Sequence, residues 1–452
     1  MNTAMDLDGR TAVVVGLGRS GIAASRLLLG KGARVVAMDA APREKLSHGA
    51  LALEAEGATL VTGSHDAEAF ARADLCVISP GVPAFPALLE FERRGGEVIG
   101  ELELASRFVT APITLIGGTN GKSTTTALVG EMLTMHGQKT FVGGNFGVPL
   151  SEAVSEPWDV LVLEISSFQA ERVPTLHARA HALLNITEDH LDRYPSIEEY
   201  ATAKGNPFER MTADDVAVIP AGDARCAAQA ARGRARVLTF RADGGEADID
   251  VRDGAITDHA YGGSYPTAAL RIAGVHNLAN ACAAVAVARA LGAWPRAIAS
   301  ALSSFEGLGH RTALVCEIGG VRYYDDSKGT NVGAAVAALR GLREPKAVLI
   351  AGGRDKLGAY EPLILALGER GRGLVVIGEA RDRIAAAAAG VLPILHAETM
   401  EEAVRAAKGL AQPGDAVLLS PACSSFDMFR DYKDRGDAFA CAVRKIAEET
   451  SS

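Results

Sequence analysis

Short apolar runs rich in β-branched residues alternate along this chain with longer alanine-rich segments whose apolar positions recur every three or four residues. The short runs predict buried strands, and the longer segments predict helices. Strands that are apolar on both faces and alternate with helices are typical of a parallel sheet covered on each side by helices. We therefore predict an α/β fold. The predicted strand segments are Thr11–Val15, Val35–Met38, Leu75–Ser79, Ile113–Ile116, Val160–Leu163, Ala347–Ile350, Leu374–Ile377 and Val417–Ser420.

The 452-residue chain is too long for one hydrophobic core, and at roughly 150 residues per domain it predicts about three domains. The alternating pattern breaks near residues 100–112 and again near residues 305–311. The polar, glycine-rich stretch Ala242–Tyr265 predicts a hairpin with loops inside the second domain. The predicted domains are residues 1–105, 106–307 and 308–452.

Composition excludes several classes of function. There are 46 Lys+Arg against 55 Asp+Glu and only 5% aromatic residues, whereas a nucleic-acid surface needs clustered basic residues with stacking rings. The apolar runs are strand-sized and fall short of the roughly 20 residues of a membrane helix. Met1–Arg10 carries charges where a signal peptide would be apolar. We therefore expect a cytoplasmic protein with no membrane span and no nucleic-acid partner.

The 6 cysteines show no CxxC spacing. Such spacing would be expected of a zinc site or a redox pair. We expect reduced thiols in apolar surroundings instead of disulfides, as is usual in the cytoplasm.

A first glycine motif, Gly16-Leu-Gly18-Arg-Ser-Gly21, follows a predicted strand and begins a helix, and Asp39 ends the next strand. This is the dinucleotide fingerprint, in which a tight turn lets backbone amides at a helix N-terminus approach a diphosphate. The same turn suits any nucleotide diphosphate. The motif alone leaves open a nicotinamide dehydrogenase, a nucleotide-sugar site and a purely structural turn.

A second glycine motif, Gly117-Gly-Thr-Asn-Gly-Lys-Ser-Thr124, follows the strand Ile113–Ile116 and predicts a helix that runs to about His136. The amides of such a loop can cradle phosphates, the lysine can reach the terminal phosphates, and a hydroxyl can bind Mg²⁺. The strict G-x-x-x-x-G-K-[ST] spacing fails, because Ile116 stands five positions before Gly121. A coincidental helix start therefore stays open as an alternative.

Acidic residues follow two other predicted strands. Glu164 closes Val160–Leu163, at the carboxyl edge where open α/β sheets bind ligands, so it is either a Mg²⁺ ligand or a helix cap. The segment Asn185–Asp192 gathers three acids around His190, which is either a ligand or a surface residue. Together with the second glycine motif, these residues predict an ATP-using enzyme that needs Mg²⁺.

Six segments carry a more specific pattern, because they occur in a fixed order along the chain: Gly118–Thr124, Gly144–Gly147, Leu163–Gln169, Asn185–Asp192, His276–Asn280 and Gly309–Arg311. In this order they resemble the signature of the Mur ligases, which form amide bonds in peptidoglycan precursors. The resemblance spans essentially the whole chain. It implies an N-terminal Rossmann-like parallel sheet, a central P-loop ATPase-like α/β domain and a C-terminal Rossmann-like α/β domain.

Within the family, Asp325–Asn331 and Ser420–Gly436 are most similar to the members that add D-glutamate. The resemblance therefore implies UDP-N-acetylmuramoyl-L-alanine and D-glutamate as substrates. It also implies an acyl-phosphate intermediate, ADP and phosphate as products, and a chain that acts as a monomer.

The resemblance also implies roles for the residues of the ATP site, where two Mg²⁺ ions reduce the repulsion between a carboxylate and the γ-phosphate. The implied catalytic residues are Lys122, Glu164, His190 and Lys204. The implied ATP-binding residues are Thr119, Asn120, Gly121, Lys122, Ser123, Thr124, Asn280, Arg311 and Asp326. The implied metal ligands are Ser123, Thr124, Glu164, His190 and Lys204.

Lys204 falls where the family carries a lysine that CO₂ converts to a carbamate. A carbamate replaces a cation with an anion, which explains how a lysine can bind Mg²⁺. The alternative is a solvated helix lysine. The sequence departs from the family here, since Gly205-Asn206-Pro207 follows where a continuing helix is expected, and proline disfavours helical backbone just before it.

For the other substrates, the resemblance implies that the N-terminal domain holds the UDP group through Gly18, Arg19, Ser20, Asp39, Ser79 and Gly81. The residues implied for the muramoyl-alanine end are Asn145, Ser166 and Gln169. Those implied for the amino acid are Thr330, Lys356, Ser425 and Phe426, with Tyr432 beside them. Ala40 and Ala41 depart from the family, which often has Thr and Arg there.

Three other functions stay open. A sister ligase that uses another amino acid or a folate is disfavoured by the segment Ser420–Gly436. An NAD-binding oxidoreductase built on Gly16–Gly21 leaves Lys122, Glu164 and His190 without roles. A non-catalytic binding module leaves the metal-ligand candidates unexplained.

Overall fold

Three sheets follow one another along the chain. The structure is a computed structural model that describes residues 5–64, 66–191, 193–272, 274–356 and 359–451. The sheets contain 5, 9 and 6 strands, largely parallel, with helices between them. This confirms the predicted α/β class. The domain boundaries near residues 105 and 307 stay a prediction.

The N-terminal sheet comprises β1 (Thr11–Val15), α1 (Arg19–Gly30), β2 (Arg34–Asp39), α2 (His48–Ala55), β3 (Thr59–Thr62), α3 (Ala67–Ala71), β4 (Leu75–Ile78), α4 (Pro86–Arg93), β5 (Glu97–Gly100) and α5 (Glu101–Ser106). Its strand order is β3-β2-β1-β4-β5, and all pairs are parallel. β1 pairs with β2 on one side and with β4 on the other, so the chain first adds strands on one side of β1 and then crosses to the other side. The carboxyl ends of β1 and β4 therefore form the crevice where such sheets bind ligands.

The first glycine motif makes the tight turn between β1 and α1. Gly16 has a φ of +84°, and a Cβ atom on Gly21 would lie 1.9 Å from the Gly16 carbonyl oxygen. The turn therefore requires glycine at both positions.

The central sheet comprises β6 (Ile113–Gly117), α6 (Lys122–Met135), β7 (Thr140–Gly144), β8 (Val160–Glu164), α7 (Ser167–Ala170), β9 (Ala180–Leu183), α8 (Ile197–Gly205), β10 (Val216–Pro220), α9 (Ala224–Ala230), β11 (Arg236–Phe240), β12 (Ile249–Arg252), β13 (Ala255–Asp258), β14 (Ser264–Pro266), α10 (Val275–Ala290) and α11 (Pro295–Ser304). Its order is β14-β13-β12-β11-β10-β9-β6-β8-β7. β12, β13 and β14 pair antiparallel, which confirms the hairpin predicted for residues 242–265. α10 is rich in buried alanine, whose small side chain lets the helix pack closely against α6 and the sheet.

The C-terminal sheet comprises β15 (Ala313–Ile318), β16 (Val321–Asp325), α12 (Val332–Gly341), β17 (Ala347–Gly352), α13 (Glu361–Arg370), β18 (Gly371–Ile377), α14 (Arg381–Ala387), β19 (Ile394–His396), α15 (Met400–Leu410), β20 (Ala416–Leu419) and α16 (Tyr432–Ser451). Its order is β15-β16-β20-β17-β18-β19, and only β15 runs antiparallel to its neighbour. The carboxyl ends of β16, β17 and β20 therefore lie together at one edge.

Other predictions can be compared with the fold. Every predicted strand segment coincides with an observed strand, except that Ser79 and Ser420 lie just beyond their strand ends. The cysteines are free thiols as predicted, although Cys441 is exposed rather than in apolar surroundings. Among the helices of the described residues, none is long and apolar enough to cross a membrane.

A buried carboxylate joins the N-terminal and central sheets. Glu103, on α5, is fully buried and accepts hydrogen bonds from the backbone N–H groups of Thr175 (3.1 Å) and Leu176 (2.9 Å). It also accepts from the Thr175 hydroxyl and from Arg107 Nε at 2.9 Å. A buried carboxylate with this many donors is stabilising only as a complete network, because each donor loses its partner if the acid is removed.

We predict that Glu103→Leu destabilises the protein by about 2–5 kcal/mol, since it leaves buried N–H groups unpaired. The measurement is the shift in melting temperature, expected to be several degrees. The matched control is Glu156→Leu, which breaks an exposed pair with Lys139 and should cost less than about 1 kcal/mol. Equal melting temperatures for the two variants would contradict this account of the junction.

Candidate active site

A cavity of about 970 Å³ opens where the three sheets meet. Its wall includes Gly81 and Pro83 from the turn after β4, the loop between β6 and α6, and the segments that follow β16, β17 and β20. The carboxyl ends of parallel strands from the central and C-terminal sheets thus face one space, which is where α/β sheets bind ligands. We call this space the central cavity and take it as the candidate active site.

The loop between β6 and α6 is held in place by Asn185. The backbone N–H of Thr119 donates to the Asn185 carbonyl (3.0 Å), and the N–H of Asn120 donates to the Asn185 side-chain oxygen (2.9 Å). Gly121 has a φ of +83°, and a Cβ there would lie 2.2 Å from Asn280 Oδ1. No side chain caps α6, so its first backbone amides are available to an anion.

Lys122, the first residue of α6, reaches back over the loop. Its Nζ donates to the Thr119 carbonyl at 2.8 Å, and the residue lines the central cavity. Burial lowers the pKa of Lys122 below its ordinary value, although the carboxylates of Glu164 and Asp189 oppose the shift. A phosphate bound in the loop would favour the charged ammonium.

Glu164 lies at the end of β8, buried beside α6. The hydroxyl of Ser123 donates to one carboxylate oxygen, and Asn145 Nδ2 donates to the other at 2.5 Å. Arg311 Nη2, from the segment before the C-terminal sheet, donates to Ser123 Oγ at 2.8 Å. A carboxylate, a hydroxyl and a guanidinium from two sheets thus converge beside the loop.

Asp189 connects the central and C-terminal sheets. Its side chain accepts from Lys356 Nζ at 2.9 Å and from Asn331 Nδ2 at 3.1 Å, and Asn331 Nδ2 also donates to Asn120 Oδ1 at 3.0 Å. Burial opposes ionisation, but the charges of Lys356 and of neighbouring His190 lower the pKa of Asp189 below its ordinary value. His190 itself lines the cavity with a φ of +56°. We call Asp189, Asn331 and Lys356 the interdomain latch.

Lys204 lies behind the phosphate loop and does not line the cavity. Its Nζ donates to the Gly118 carbonyl at 2.7 Å and lies 4.5 Å from the centre of the Tyr200 ring. Burial, reinforced by the charge of Lys122, lowers the pKa of Lys204 well below its ordinary value. The interpretation as a solvated helix lysine is therefore wrong. α8 ends at Gly205, but Asn206, directly before Pro207, keeps helical backbone with φ −52° and ψ −39°, and a 3-10 turn continues over Asn206–Arg210. The expected loss of helical backbone before Pro207 is therefore wrong.

Asp326 lies in the cavity wall just after β16. Its carboxyl group accepts from the Ser420 hydroxyl at 2.6 Å and from the Thr312 backbone N–H at 3.1 Å. Burial raises the pKa of Asp326 to about 7, against these hydrogen bonds and the charge of Arg311. The group therefore ties the ends of β16 and β20 together.

The predicted nucleotide-substrate residues divide into two sets. The first set lines the central cavity and consists of Gly81, Asn145 and Ser166. The second set lies outside it and consists of Gly18, Arg19, Ser20, Asp39, Ser79 and Gln169.

Several members of the second set have structural partners. Asp39 accepts from the backbone N–H groups of Leu17 (2.7 Å) and Ala41 (2.8 Å), and Ser79 Oγ donates to the Gly16 carbonyl (2.7 Å). Gln169 Oε1 accepts from the N–H of Ser166 in a capping box at the start of α7. Ser79 and Gln169 also border a smaller pocket of about 50 Å³ that shares Gly81 with the central cavity. The N-terminal crevice thus adjoins the candidate site.

The cavity wall includes all the residues predicted for the amino-acid substrate, namely Thr330, Lys356, Ser425 and Phe426. Ser425 is 2% exposed, whereas Phe426 is 65% exposed. Tyr432 also lines the cavity, and Lys328 Nζ lies 4.0 Å from the centre of its ring. Burial lowers the pKa of Lys328 to about 8.

Some residues that the structure brings to the site were not predicted individually. Asn185 and Asp189 belong to the acidic segment that the sequence analysis identified, but their partners are distant in sequence. Asn331 carried the local signal of a helix N-cap, a role it fills for α12. Lys328 belongs to the segment Asp325–Asn331, in which the sequence assigned it no role. Asp192, the last residue of the acidic segment, lies outside the described residues.

The donor set fits Mg²⁺ only together with a nucleotide. Among the side chains that the structure describes, no group of three or more His, Cys, Asp or Glu residues is arranged to hold a metal by itself. Mg²⁺ is usually held by one or two carboxylates together with substrate phosphates and water. The buried Glu164 carboxylate beside the Ser123 hydroxyl, at the edge of the phosphate loop, suits this mode.

Comparison with known families matches three consecutive segments of the chain. Residues 10–100 match the "Mur ligase MurD-like, N-terminal domain", residues 116–288 the "Mur ligase middle domain", and residues 310–423 the "Mur ligase, glutamate ligase domain". The UDP-N-acetylmuramoylalanine–D-glutamate ligase of Geobacter metallireducens is 45% identical over 98% of this chain and 99% of the relative. The chain belongs to the Mur ligase family. The enzyme of the same name from Trichlorobacter lovleyi is 44% identical over 98% of this chain and 100% of the relative.

Solved structures share the fold of this Mur ligase at low sequence identity. A pseudomurein peptide ligase type C from Methanothermus fervidus has a TM-score of 0.63 at 18% identity, over 97% of this chain and 100% of that one. The UDP-N-acetylmuramate-alanine ligase of Thermotoga maritima has a TM-score of 0.62 at 18% identity, over 97% and 99% of the two chains. Both confirm the three-sheet arrangement.

The buried carboxyl group of Asp326 predicts a pH-dependent stability. In the folded protein the group stays protonated to about pH 7, whereas in the unfolded chain it ionises near 3.8. Its contribution to the free energy of unfolding is therefore present at acidic pH and is lost as the pH rises from about 4 through 7. The wild-type protein should lose about 2–4 kcal/mol relative to Asp326→Asn over this interval. Urea unfolding of both proteins between pH 4 and 9 measures this; a difference that does not vary with pH would contradict it.

Proposed function

We propose that this chain is an ATP-dependent ligase that joins D-glutamate to UDP-N-acetylmuramoyl-L-alanine through an acyl phosphate, with ADP and phosphate as products. The observation that carries the proposal is the similarity over nearly the full chain to relatives named UDP-N-acetylmuramoylalanine–D-glutamate ligase. The central cavity supports it, because a phosphate loop, a turn of the N-terminal crevice and a cationic C-terminal wall face one space. ATP and UDP-linked precursors are cytoplasmic metabolites, so we place the reaction in the cytoplasm. One chain supplies the groups that the reaction needs, so we propose that it works as a monomer.

In the first step, a carboxylate oxygen of the nucleotide substrate attacks the γ-phosphorus of ATP. A bond forms between the carboxylate oxygen and phosphorus, and the bond from phosphorus to the bridging oxygen of ADP breaks. Negative charge accumulates on the transferring phosphoryl group. Lys122 lies at the loop that would hold this group, and Arg311 lies within hydrogen-bond reach of Ser123 beside it. Both cations stabilise that charge.

Glu164 with Ser123 or Thr124 would hold one Mg²⁺, and His190 with a carbamylated Lys204 would hold a second. The ions supply positive charge that reduces the repulsion between the two anions that react. A buried lysine with a lowered pKa supports the carbamate, because only the neutral amine can attack CO₂. The structure keeps that amine directly behind the phosphate loop, on the Gly118 carbonyl.

In the second step, the amine of D-glutamate attacks the acyl carbon, the amide bond forms, and phosphate leaves. Water competes for the same carbon, so the acyl phosphate must be enclosed. The interdomain latch supports this role, since Asp189 holds Lys356 and Asn331 of the C-terminal sheet against the central sheet. Closure of the C-terminal domain would therefore bring the amino acid to the acyl phosphate and exclude water from it at the same time.

The N-terminal crevice would hold the UDP group. The glycine turn after β1 contacts the turn after β4, because Ser79 Oγ donates to the Gly16 carbonyl, and Gly81 of the second turn lines the central cavity. Asp39 already accepts two backbone N–H groups, so it shapes the glycine turn in addition to any contact with the nucleotide.

The experiment that tests the function is phosphate release from MgATP. The assay contains UDP-N-acetylmuramoyl-L-alanine with D-glutamate, L-glutamate, lysine, diaminopimelate or no amino acid. Release that requires both the nucleotide substrate and D-glutamate is expected. Release with a different amino acid would retain the chemistry and overturn the assigned substrate, and no release would overturn the ligase function. Saturable binding of NADH would instead support the oxidoreductase alternative.

We predict that Lys122→Ala abolishes ligation, because it removes charge stabilisation from the phosphoryl transfer; the loss should be at least about 100-fold in kcat. Binding of the nucleotide substrate, measured by calorimetry without ATP, should change little. Normal turnover in this variant would refute the phosphate-loop assignment.

We predict that Lys204→Ala is inactive and is partly rescued by acetate, because a small carboxylate can occupy the place of the missing carbamate. The assay is phosphate release with increasing acetate. Lys122→Ala is the matched control, since it removes a cation and acetate should not restore it. Failure of acetate to rescue Lys204→Ala selectively would count against the carbamate.

A further inference from the structure

Arg354 is an exposed cation in the wall of the central cavity, on the segment that follows β17. Within the described part of the chain, its guanidinium group has no hydrogen-bond or ion-pair partner. The other cations near it on this wall are engaged. Arg311 donates to Ser123, Lys328 lies over the Tyr432 ring, and Lys356 is bound to Asp189. Arg354 therefore offers the cavity a full positive charge and an unused set of donors.

The backbone of Arg354 is held in place. Its N–H donates to the Ser424 carbonyl at 2.9 Å, and the Ser424 N–H donates back to the Arg354 carbonyl at 3.2 Å. Gly353, just before it, makes this approach possible, because a Cβ there would lie 2.3 Å from the Ser424 carbonyl oxygen. The pair joins the segment after β17 to the segment after β20, so Arg354 is fixed next to Ser424 and Ser425 at the cavity wall.

The acidic neighbour of Arg354 does not neutralise it. Asp355 Oδ2 accepts from Arg383 Nη1 at 2.5 Å, and Oδ1 accepts from the Tyr360 hydroxyl at 3.1 Å. These bonds pair the carboxylate with a side chain of α14 and with the residue just before α13. All three residues of the segment Arg354–Lys356 line the cavity, and Asp355 and Lys356 are ion-paired with Arg383 and Asp189, whereas the Arg354 side chain is not.

The two cations lie at different depths. Lys356 is mostly buried, with 18% of its side chain exposed, and it contacts Asp189 next to His190, near the phosphate loop. Arg354 is exposed, so its side chain has more contact with solvent than that of Lys356. In D-glutamate the α-carboxylate is attached to the carbon that bears the reacting amine, whereas the side-chain carboxylate is three bonds beyond that carbon. An amine directed at the acyl phosphate therefore places the side-chain carboxylate farther out.

We propose that Arg354 binds the side-chain carboxylate of the incoming amino acid and so selects a dicarboxylic substrate. The inference rests on the proposed function and adds to it the residue that recognises the side-chain carboxylate of the amino acid. A guanidinium pairs with a carboxylate in a planar, two-bond geometry, which a neutral amide of the same length cannot match.

The test is steady-state kinetics of Arg354→Gln with D-glutamate and with D-glutamine, which has the same length but no side-chain charge. The KM for D-glutamate should rise about 10- to 100-fold, as expected for the loss of a charge-assisted hydrogen-bond pair. The constant for D-glutamine, measured as KM or as an inhibition constant against D-glutamate, should change less than about threefold. The KM values for ATP and for the nucleotide substrate should not change. Arg354→Lys should recover part of the affinity, because it keeps the charge and loses the planar fork.

The matched control is Arg343→Gln, which removes an exposed arginine of the same domain that does not line the cavity. It should leave all constants unchanged. An equal loss of affinity for D-glutamate and D-glutamine in Arg354→Gln would mean that the residue does not recognise the side-chain carboxylate. An unchanged KM for D-glutamate would mean that the residue does not bind the amino acid. Either result overturns the proposal. If the wild-type protein releases no phosphate with D-glutamate, the proposed function fails instead, so the two failures are distinguishable.

Discussion

The repulsion between two anions is the constraint on which the candidate site depends. In the proposed reaction a carboxylate and the γ-phosphate of ATP come into contact, and both are negatively charged in water. Cations that reduce this repulsion line the central cavity and come from separate parts of the chain: Lys122 from α6, Arg311 from the segment before β15, and Lys356 from the segment after β17. Lys122 can share one space with Arg311 and Lys356 only if the central and C-terminal sheets lie together. The positive charge at the site therefore depends on how the domains are arranged.

Several polar contacts join the parts of the chain that carry these two sheets. Arg311 donates to Ser123, which donates to Glu164, while Asn331 bridges Asn120 and Asp189. Polar contacts of this kind are less costly to open than a hydrophobic interface, so they suit domains that must separate to admit substrates. By contrast, the fully buried Glu103 network holds the N-terminal and central sheets together. We infer that the C-terminal domain is the part that moves, and that the nucleotide substrate meets a preformed surface.

The local elements of the fold could be predicted from the sequence, because each depends on neighbouring residues. The phosphate loop and α6 follow from a strand, glycines and a lysine in immediate succession. The strand β7 (Thr140–Gly144) was not predicted, since two of its residues are glycine, which is rare in strands. The capping role of Gln169 could be predicted from its spacing to Ser166, whereas the resemblance to the family implied substrate binding for this residue.

The pairings between domains could not be predicted. Asn331 meets Asn120 from 211 positions away, and Lys356 meets Asp189 from 167 positions away, so no local pattern relates them. Lys204 shows the same limit, because its helical position was clear while its burial behind the loop depends on the packing of α8 against the central sheet. Residue types that suit a chemistry can be recognised in a sequence, whereas the charges that face one another follow from tertiary structure.

The central claim is that the carboxylate is activated as an acyl phosphate inside a closed cavity. The most direct measurement uses UDP-N-acetylmuramoyl-L-alanine labelled with ¹⁸O in its alanine carboxylate, with MgATP and D-glutamate, and analyses the released phosphate by mass spectrometry. This account predicts that each phosphate carries one oxygen from the labelled carboxylate, because that oxygen forms the bond to phosphorus in the first step. Phosphate that carries no label while the amide forms would contradict it.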